Sequence, residues 1–155
     1  MTIKAIVTRQ YQDIVDRAGK ALATVSLPPE GWLCTARKAL RMSGAQLSRR
    51  LGVSRAQISK TEKNELTGGV TLKTMQNMAE AMGYRFVYAI VPQKDTQSLI
   101  EKQAHEKALS LVQQANQQMA LEAQALSAQQ IQYEITRLQQ ELLEKMPKDF
   151  WDDDK

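Results

Sequence analysis

Several kinds of residue are scarce in this chain, and each scarcity closes off a class of function. Cys34 is the sole cysteine among 155 residues, so no intrachain disulfide can form and a reducing cytosol is the expected compartment. His105 is the sole histidine, and it lies in a Gln-rich stretch without a metal-ligand partner at a suitable spacing. No glycine-rich phosphate loop occurs. No apolar run approaches the roughly 20 residues that span a bilayer, and the N-terminus has no apolar signal core. Aromatics make up only 5% of the chain, while Met occurs seven times, which suits helices packed through aliphatic side chains. Together these shortages leave a catalyst without its parts. The expectation is a cytoplasmic protein that is not an enzyme and needs no metal or cofactor.

What is present is unevenly charged. The overall charge is +4. Residues 31–83 hold nine basic groups against three acidic ones, whereas residues 84–155 hold eight against eleven. A basic module between near-neutral or acidic arms is the footprint of a part that meets a polyanion.

Punctuation divides the chain into five parts. Residues 1–30 form an amphipathic helix over roughly 8–25, carried by Ile14, Val15, Ala18, Ala21, Leu22 and Val25, followed by a Pro28-Pro29-Gly31 connector. Residues 31–83 hold several short helices. Trp32, Leu33, Ala36 and Leu40 make one apolar stripe; Ser43 with Gln46 reads as a capping box; Ser54 and Thr71 read as further caps; and Leu72, Met75, Met78, Ala79 and Met82 face a core. Residues 84–92 read as one β-strand, "YRFVYAIV" stopped by Pro92, which needs a partner in the Thr2–Val7 run or in a second copy of the chain. Residues 93–147 are Gln-rich and helical, for dimerisation or partner binding. One stripe runs Ala104, Ala108, Leu111, Ala115, Met119 and another Ile131, Ile135, Leu138, Leu142, Met146; a cap at Ser127 leaves one rod or two antiparallel helices open. Residues 148–155 form an acidic aromatic tail in which Phe150 and Trp151 are candidates for docking on protein, and Asp152, Asp153 and Asp154 are expected to stay solvated.

The stretch "LGVSRAQISKTEKNE", residues 51–65, carries the function. A helix from Ser43 to Leu51, a turn through Gly52 and Val53, and a second helix from Ser54 have the lengths of a helix-turn-helix, with Leu47, Leu51, Val53 and Ile58 spaced to pack the two helices together. The second helix then turns Ser54, Arg55, Gln57, Ser59 and Lys60 outward, donors able to reach base edges in a major groove, and the Ala56 methyl can meet a thymine methyl. Ser43, Gln46, Arg49, Arg50, Lys63 and Lys73 surround this face as candidate phosphate contacts, helped by free N–H groups at the helix N-termini. One such helix reads few base pairs, so a homodimer on a palindromic operator is expected, with half-sites about 34 Å apart.

"MSGAQLSRRLGVSRAQISKTEKNE" resembles the phage-repressor and Cro type of helix-turn-helix known as XRE. The resemblance implies a mainly α, repressor-like bundle with one β-strand and a long C-terminal helical region. It implies that Ser54, Arg55, Ala56, Ser59 and Lys60 lie on the recognition helix, and that Arg37 and Glu62 form a structural pair. Gly44 stands where a phosphate-contacting Gln is common in that family. Over nearly the whole chain, "GWLCTARKALRMSGAQLSRRLGVS", "GGVTLKTMQNMAEAMGYRFVYAIVP", "MALEAQALS" and the terminal "FW" are similar to the mobile mystery protein A family, encoded beside a Fic-domain protein. That resemblance implies a repressor of a toxin–antitoxin-like operon, or an antitoxin-like module that restrains the Fic partner through its C-terminal helices. The Ser/Thr-x-x-x-Glu-Gly/Asn plug of many Fic inhibitors is not matched, because Thr61 and Glu65 are followed by Leu66.

Overall fold

A computed structural model describes residues 2–153; Asp154 and Lys155 of the tail lie outside that range. The described residues form seven helices: α1 (Ile3–Leu22), α2 (Trp32–Ala39), α3 (Gly44–Leu51), α4 (Arg55–Leu66), α5 (Leu72–Ala81), α6 (Thr96–Leu121) and α7 (Ala128–Lys145). They fall into two compact units, one built from Leu22–Ala89, the other from the residues up to Ala21 and those from Ile90 onward.

The central unit, α2 to α5, closes on Leu33, Leu47, Ile58, Met75, Met78 and Met82, with Ala36, Met42, Leu51 and Phe86 packed around them. Leu47 is fully buried, so truncating it to Ala removes a complete set of core contacts, a loss of about 2 to 5 kcal/mol. Three of its four helices, α3 to α5, are started by a short polar side chain. The Ser43 hydroxyl accepts from the Gln46 backbone N–H while the Gln46 side-chain Oε1 accepts from the Ser43 N–H, and Ser54 and Thr71 cap α4 and α5 in the simpler way. Gly52, at φ 70°, ends α3 in the left-handed region that glycine adopts without penalty. The turn between α3 and α4 is therefore written locally.

The other unit is an antiparallel hairpin of α6 and α7 with α1 joined at its start. The Ser127 capping box begins a separate α7, which selects two helices over one rod. Ala104 and Ala108 are fully buried; their small side chains let α7 come close, and Val112, Ile135, Leu142 and Phe150 complete the core. Asp95 caps α6 through the Ser98 N–H, and Asp16 on α1 accepts both the backbone N–H and the hydroxyl of Thr96. The tail folds back: Gln103 donates to the Phe150 carbonyl at 2.8 Å and the buried Lys107 ammonium donates to the Asp149 carbonyl.

The structure departs from the sequence reading in several places. The strand expected over 84–92 is not formed: among the described residues there is no strand, and no backbone group from Arg85 to Val91 is hydrogen-bonded. Its intrachain candidate, the Thr2–Val7 run, is spent in α1, which starts at Ile3 rather than near residue 8. Strand propensity without a paired edge gives only extended chain. Trp32 and Leu72, at the first positions of α2 and α5, remain well exposed, as do Leu40 just past the end of α2 and Val53 in the turn before α4. On α6 the buried apolar row runs Ala104, Ala108, Val112, beside the buried Lys107, while Leu111 and Ala115 are exposed. Of the two tail aromatics Phe150 is buried, and Trp151 lies edge-on against it, exposed.

Candidate nucleic-acid interface

The face of α4 follows from helical periodicity. Ile58, Thr61 and the partly buried Glu62 and Glu65 point to the interior of the unit. At 100° per residue, Ala56, Lys60 and Lys63 lie opposite them and Gln57 and Ser59 on the two flanks, while Arg55, in the first turn of α4, falls on the Ile58 side, near Gly44 of α3. All six, together with the cap residue Ser54, are exposed. Among the described residues none of Arg49, Arg55, Lys60, Lys63 and Lys73 forms a salt bridge. The exposed cations around α4 are thus held in no ion pair among the described residues.

The inner side of α4 carries the opposite sign, and its carboxylates are fully used. Glu62 takes a two-pronged hydrogen bond from Arg37, Nε at 2.6 Å and Nη2 at 3.0 Å, while Arg37 Nη1 reaches the Met42 carbonyl at 3.0 Å. Both side chains are mostly buried, and the Glu62 hydrogen bond raises the already high Arg37 pKa. Pairing of this planar kind ties α4 to α2 and to the loop before α3.

Glu65 has a role that the sequence does not announce. Its Oε2 accepts from the Trp32 N–H at 2.6 Å and its Oε1 from the Leu33 N–H at 2.8 Å, so the last turn of α4 caps the first turn of α2. Gly31, the residue before α2, offers no side chain for that purpose and sits at φ 85°; a Cβ there would stand 2.9 Å from Glu65 Oε2. The one signal in the chain is a helix start lacking Ser, Thr, Asp or Asn, which states a need without naming the donor of the cap.

The candidate phosphate contacts differ in their freedom. Ser43 and Gln46 are exposed at the start of α3 but engaged in their mutual cap, which leaves the Ser43 hydroxyl proton and the Gln46 amide NH2 to donate outward. Arg50 is held by Nε to the Ala81 carbonyl at 2.7 Å, with its remaining guanidinium nitrogens available. Arg49, Lys63 and Lys73 are exposed. Gly44 lies close to α4: a Cβ on it would meet Ile58 Cγ2 at 3.9 Å, an ordinary contact. Cys34 is partly buried, and burial, then the Glu62 charge, pushes its thiol pKa up, which works against thiolate chemistry. His105 is exposed and pairs with Gln139 on α7. Among the described residues no group of three or more His, Cys, Asp or Glu is placed to hold a metal ion, and no helix is long and apolar enough to cross a membrane.

Comparison with known proteins bears on the same region. No curated protein and no solved structure matches the chain. Residues 35–88, from α2 through α5, match the family model HTH_3, described as helix-turn-helix, so the chain contains an XRE-type helix-turn-helix domain, which suggests a DNA-binding transcriptional regulator.

Proposed function

We infer that the protein is a sequence-specific transcriptional repressor that acts in the cytoplasm as a homodimer on a palindromic operator. The reading rests chiefly on one observation: α4 presents an exposed, uncompensated basic outer face while its inner face is locked by Glu62 and Glu65. Ser54, Arg55, Ala56, Gln57, Ser59 and Lys60 read bases. Ser43, Gln46, Arg49, Arg50, Lys63 and Lys73 hold phosphates. Cationic contacts to phosphate supply affinity for any duplex, and the short donors on α4 supply the choice among sequences. The similarity of the quoted motifs to the mobile mystery protein A family supports an operon shared with a Fic-type toxin as the target.

A second reading makes the chain an antitoxin-like module that restrains a Fic-domain partner. Its support is that α6 and α7 form a hairpin with its own core, apart from the helix-turn-helix unit. Selection of bound duplexes from a random pool tests the first reading: a palindromic site should be enriched, and a pool that stays random after repeated rounds removes it. Co-purification with a Fic-domain protein, lost on deletion of residues 94–155, tests the second.

A further inference from the structure

The turn that closes α2 differs from those that close the other helices of the central unit. The Arg41 N–H donates to the Lys38 carbonyl at 2.9 Å and the Met42 N–H to the Arg37 carbonyl at 3.2 Å, a pair of bonds that ends a helix by setting one residue in the left-handed region. The same pair closes α4 around Gly68, at φ 77°, and α5 around Gly83, at φ 84°, while Gly52 ends α3 at φ 70°. Glycine adopts that backbone freely, having no Cβ to crowd the following carbonyl. At the end of α2 the residue is Arg41, at φ 55°. A side chain there opposes folding, and α2 gains little from the charge, because Arg37 and Lys38 already place cations in its last turn. Arg41 is exposed, and among the described residues it forms no ion pair. A disfavoured backbone that the fold itself does not use points to a ligand.

Its placement identifies that ligand. Met42 packs against the core of the unit and the Arg37 guanidinium holds its carbonyl at 3.0 Å, so the turn between α2 and α3 is fixed with Met42 inward. The neighbours on either side, Arg41 and Ser43, are exposed. Two residues of chain span at most about 7 Å, so the flexible Arg41 stem can set its guanidinium beside whatever the Ser43 hydroxyl and the Gln46 amide meet. We propose, resting on the DNA-binding reading above, that Arg41 is a further phosphate-binding residue of this interface, kept on a backbone suited to glycine because the duplex needs its charge. The planar guanidinium donates to phosphate oxygens next to those reached from Ser43 and Gln46, and so fixes the start of α3 against the sugar-phosphate chain. The contact is indifferent to base sequence. Folding and binding therefore make opposite demands on position 41.

The test uses the full chain and a mixed-sequence duplex, read by fluorescence anisotropy over a range of salt concentrations, with thermal unfolding of the same samples. Arg41→Gly removes the charge and the strain together. Its Tm should rise by roughly 2 to 8 °C, since the left-handed position suits glycine. Its affinity should fall about three- to tenfold near 0.1 M salt, and the slope of log K against log salt should shrink by about 0.9 for each chain bound. Arg41→Asn, neutral and tolerant of the same backbone, should repeat the loss of affinity. Arg41→Lys keeps both the charge and the disfavoured backbone, so it should retain the wild-type salt slope without the rise in Tm. An Arg41→Gly protein with wild-type affinity and slope overturns the contact, and one that melts below the wild type overturns the claim that the side chain opposes folding. Arg49→Ala separates this inference from the reading beneath it. Weakened binding by Arg49→Ala beside unchanged binding by Arg41→Gly removes Arg41 alone, whereas a wild type that binds no duplex removes the whole interface and Arg41 with it.

Discussion

Removing the Glu65 carboxylate tests whether α4 holds up the start of α2. The carboxylate satisfies two N–H groups at the start of α2, where Gly31 supplies no cap, and it is the sole side chain that does so among the described residues. A hydrogen bond to a charged group contributes about 1.5 to 3 kcal/mol when shielded and less in water. The Leu33 bond is partly buried and the Trp32 bond exposed. Taking about 2 kcal/mol for the first and about 1 for the second, Glu65→Ala should cost about 3 kcal/mol. Glu65→Gln, which keeps one acceptor and loses the charge, should cost about half of that. For a unit of this size, about 3 kcal/mol lowers Tm by roughly 12 to 24 °C. Urea unfolding in a Trp151→Phe background reads this unit directly, because Trp32 is then the remaining tryptophan and stands at the site. Glu80→Ala, which removes an exposed acid on α5, serves as the control and should change stability by less than about 0.5 kcal/mol. A Glu65→Ala protein as stable as that control would refute the capping argument.

Four other outcomes are expected. Arg55→Ala or Lys60→Ala should weaken binding to the selected site by roughly 1 to 3 kcal/mol with the melting curve unchanged, and gel shifts showing full selectivity in both variants would take them out of the reading set. Arg49→Ala should instead weaken binding to all duplexes and reduce the salt slope by about one, as read by titration at several salt concentrations; an altered base preference would reverse its assigned role. Ala123 ends α6 at φ 58° in a position suited to glycine, so Ala123→Gly should stabilise the hairpin by about 1 kcal/mol in thermal unfolding, and a destabilised variant would contradict the strain. The Asp95 pKa is held below its ordinary value because the carboxylate accepts the Ser98 N–H, so its stabilising contribution is complete above the unfolded pKa and is lost as pH falls through the folded one. Stability of the wild type should therefore decline more steeply than that of Asp95→Asn below about pH 4, and parallel profiles would deny the cap an ionic part.

What the sequence disclosed was local. Caps at Ser43, Ser54, Thr71 and Ser127 lie within three residues of the N–H groups they serve, so spacing alone reveals them. The outward set on α4 is likewise a matter of period, once Leu47 and Ile58 mark the inward side. Interactions that depend on assembly were hidden. Glu65 reaches Trp32 and Leu33 across more than thirty residues, and Arg50 reaches Ala81 across a comparable gap; neither pairing leaves a periodic trace. The stretch Tyr84–Val91 misled for a related reason: propensity states what a residue favours in a paired sheet, and one chain supplies no pair. Val53 and Leu72 misled differently, as apolar residues in the α3–α4 turn and at the first position of α5 that stay outside the core.

The two sides of α4 answer to different masters. Ser54, as the cap of α4, and Ile58, Thr61, Glu62 and Glu65 are committed to the fold, whereas Arg55, Ala56, Ser59 and Lys60 have exposed side chains hydrogen-bonded to no other side chain of the unit. The outward set can accordingly be rewritten at little thermodynamic expense, so that paralogues of this module could diverge in the sites they address while their scaffolds stay the same. Drift in target choice would then be limited by the operator, which must change in step, and not by the durability of the protein.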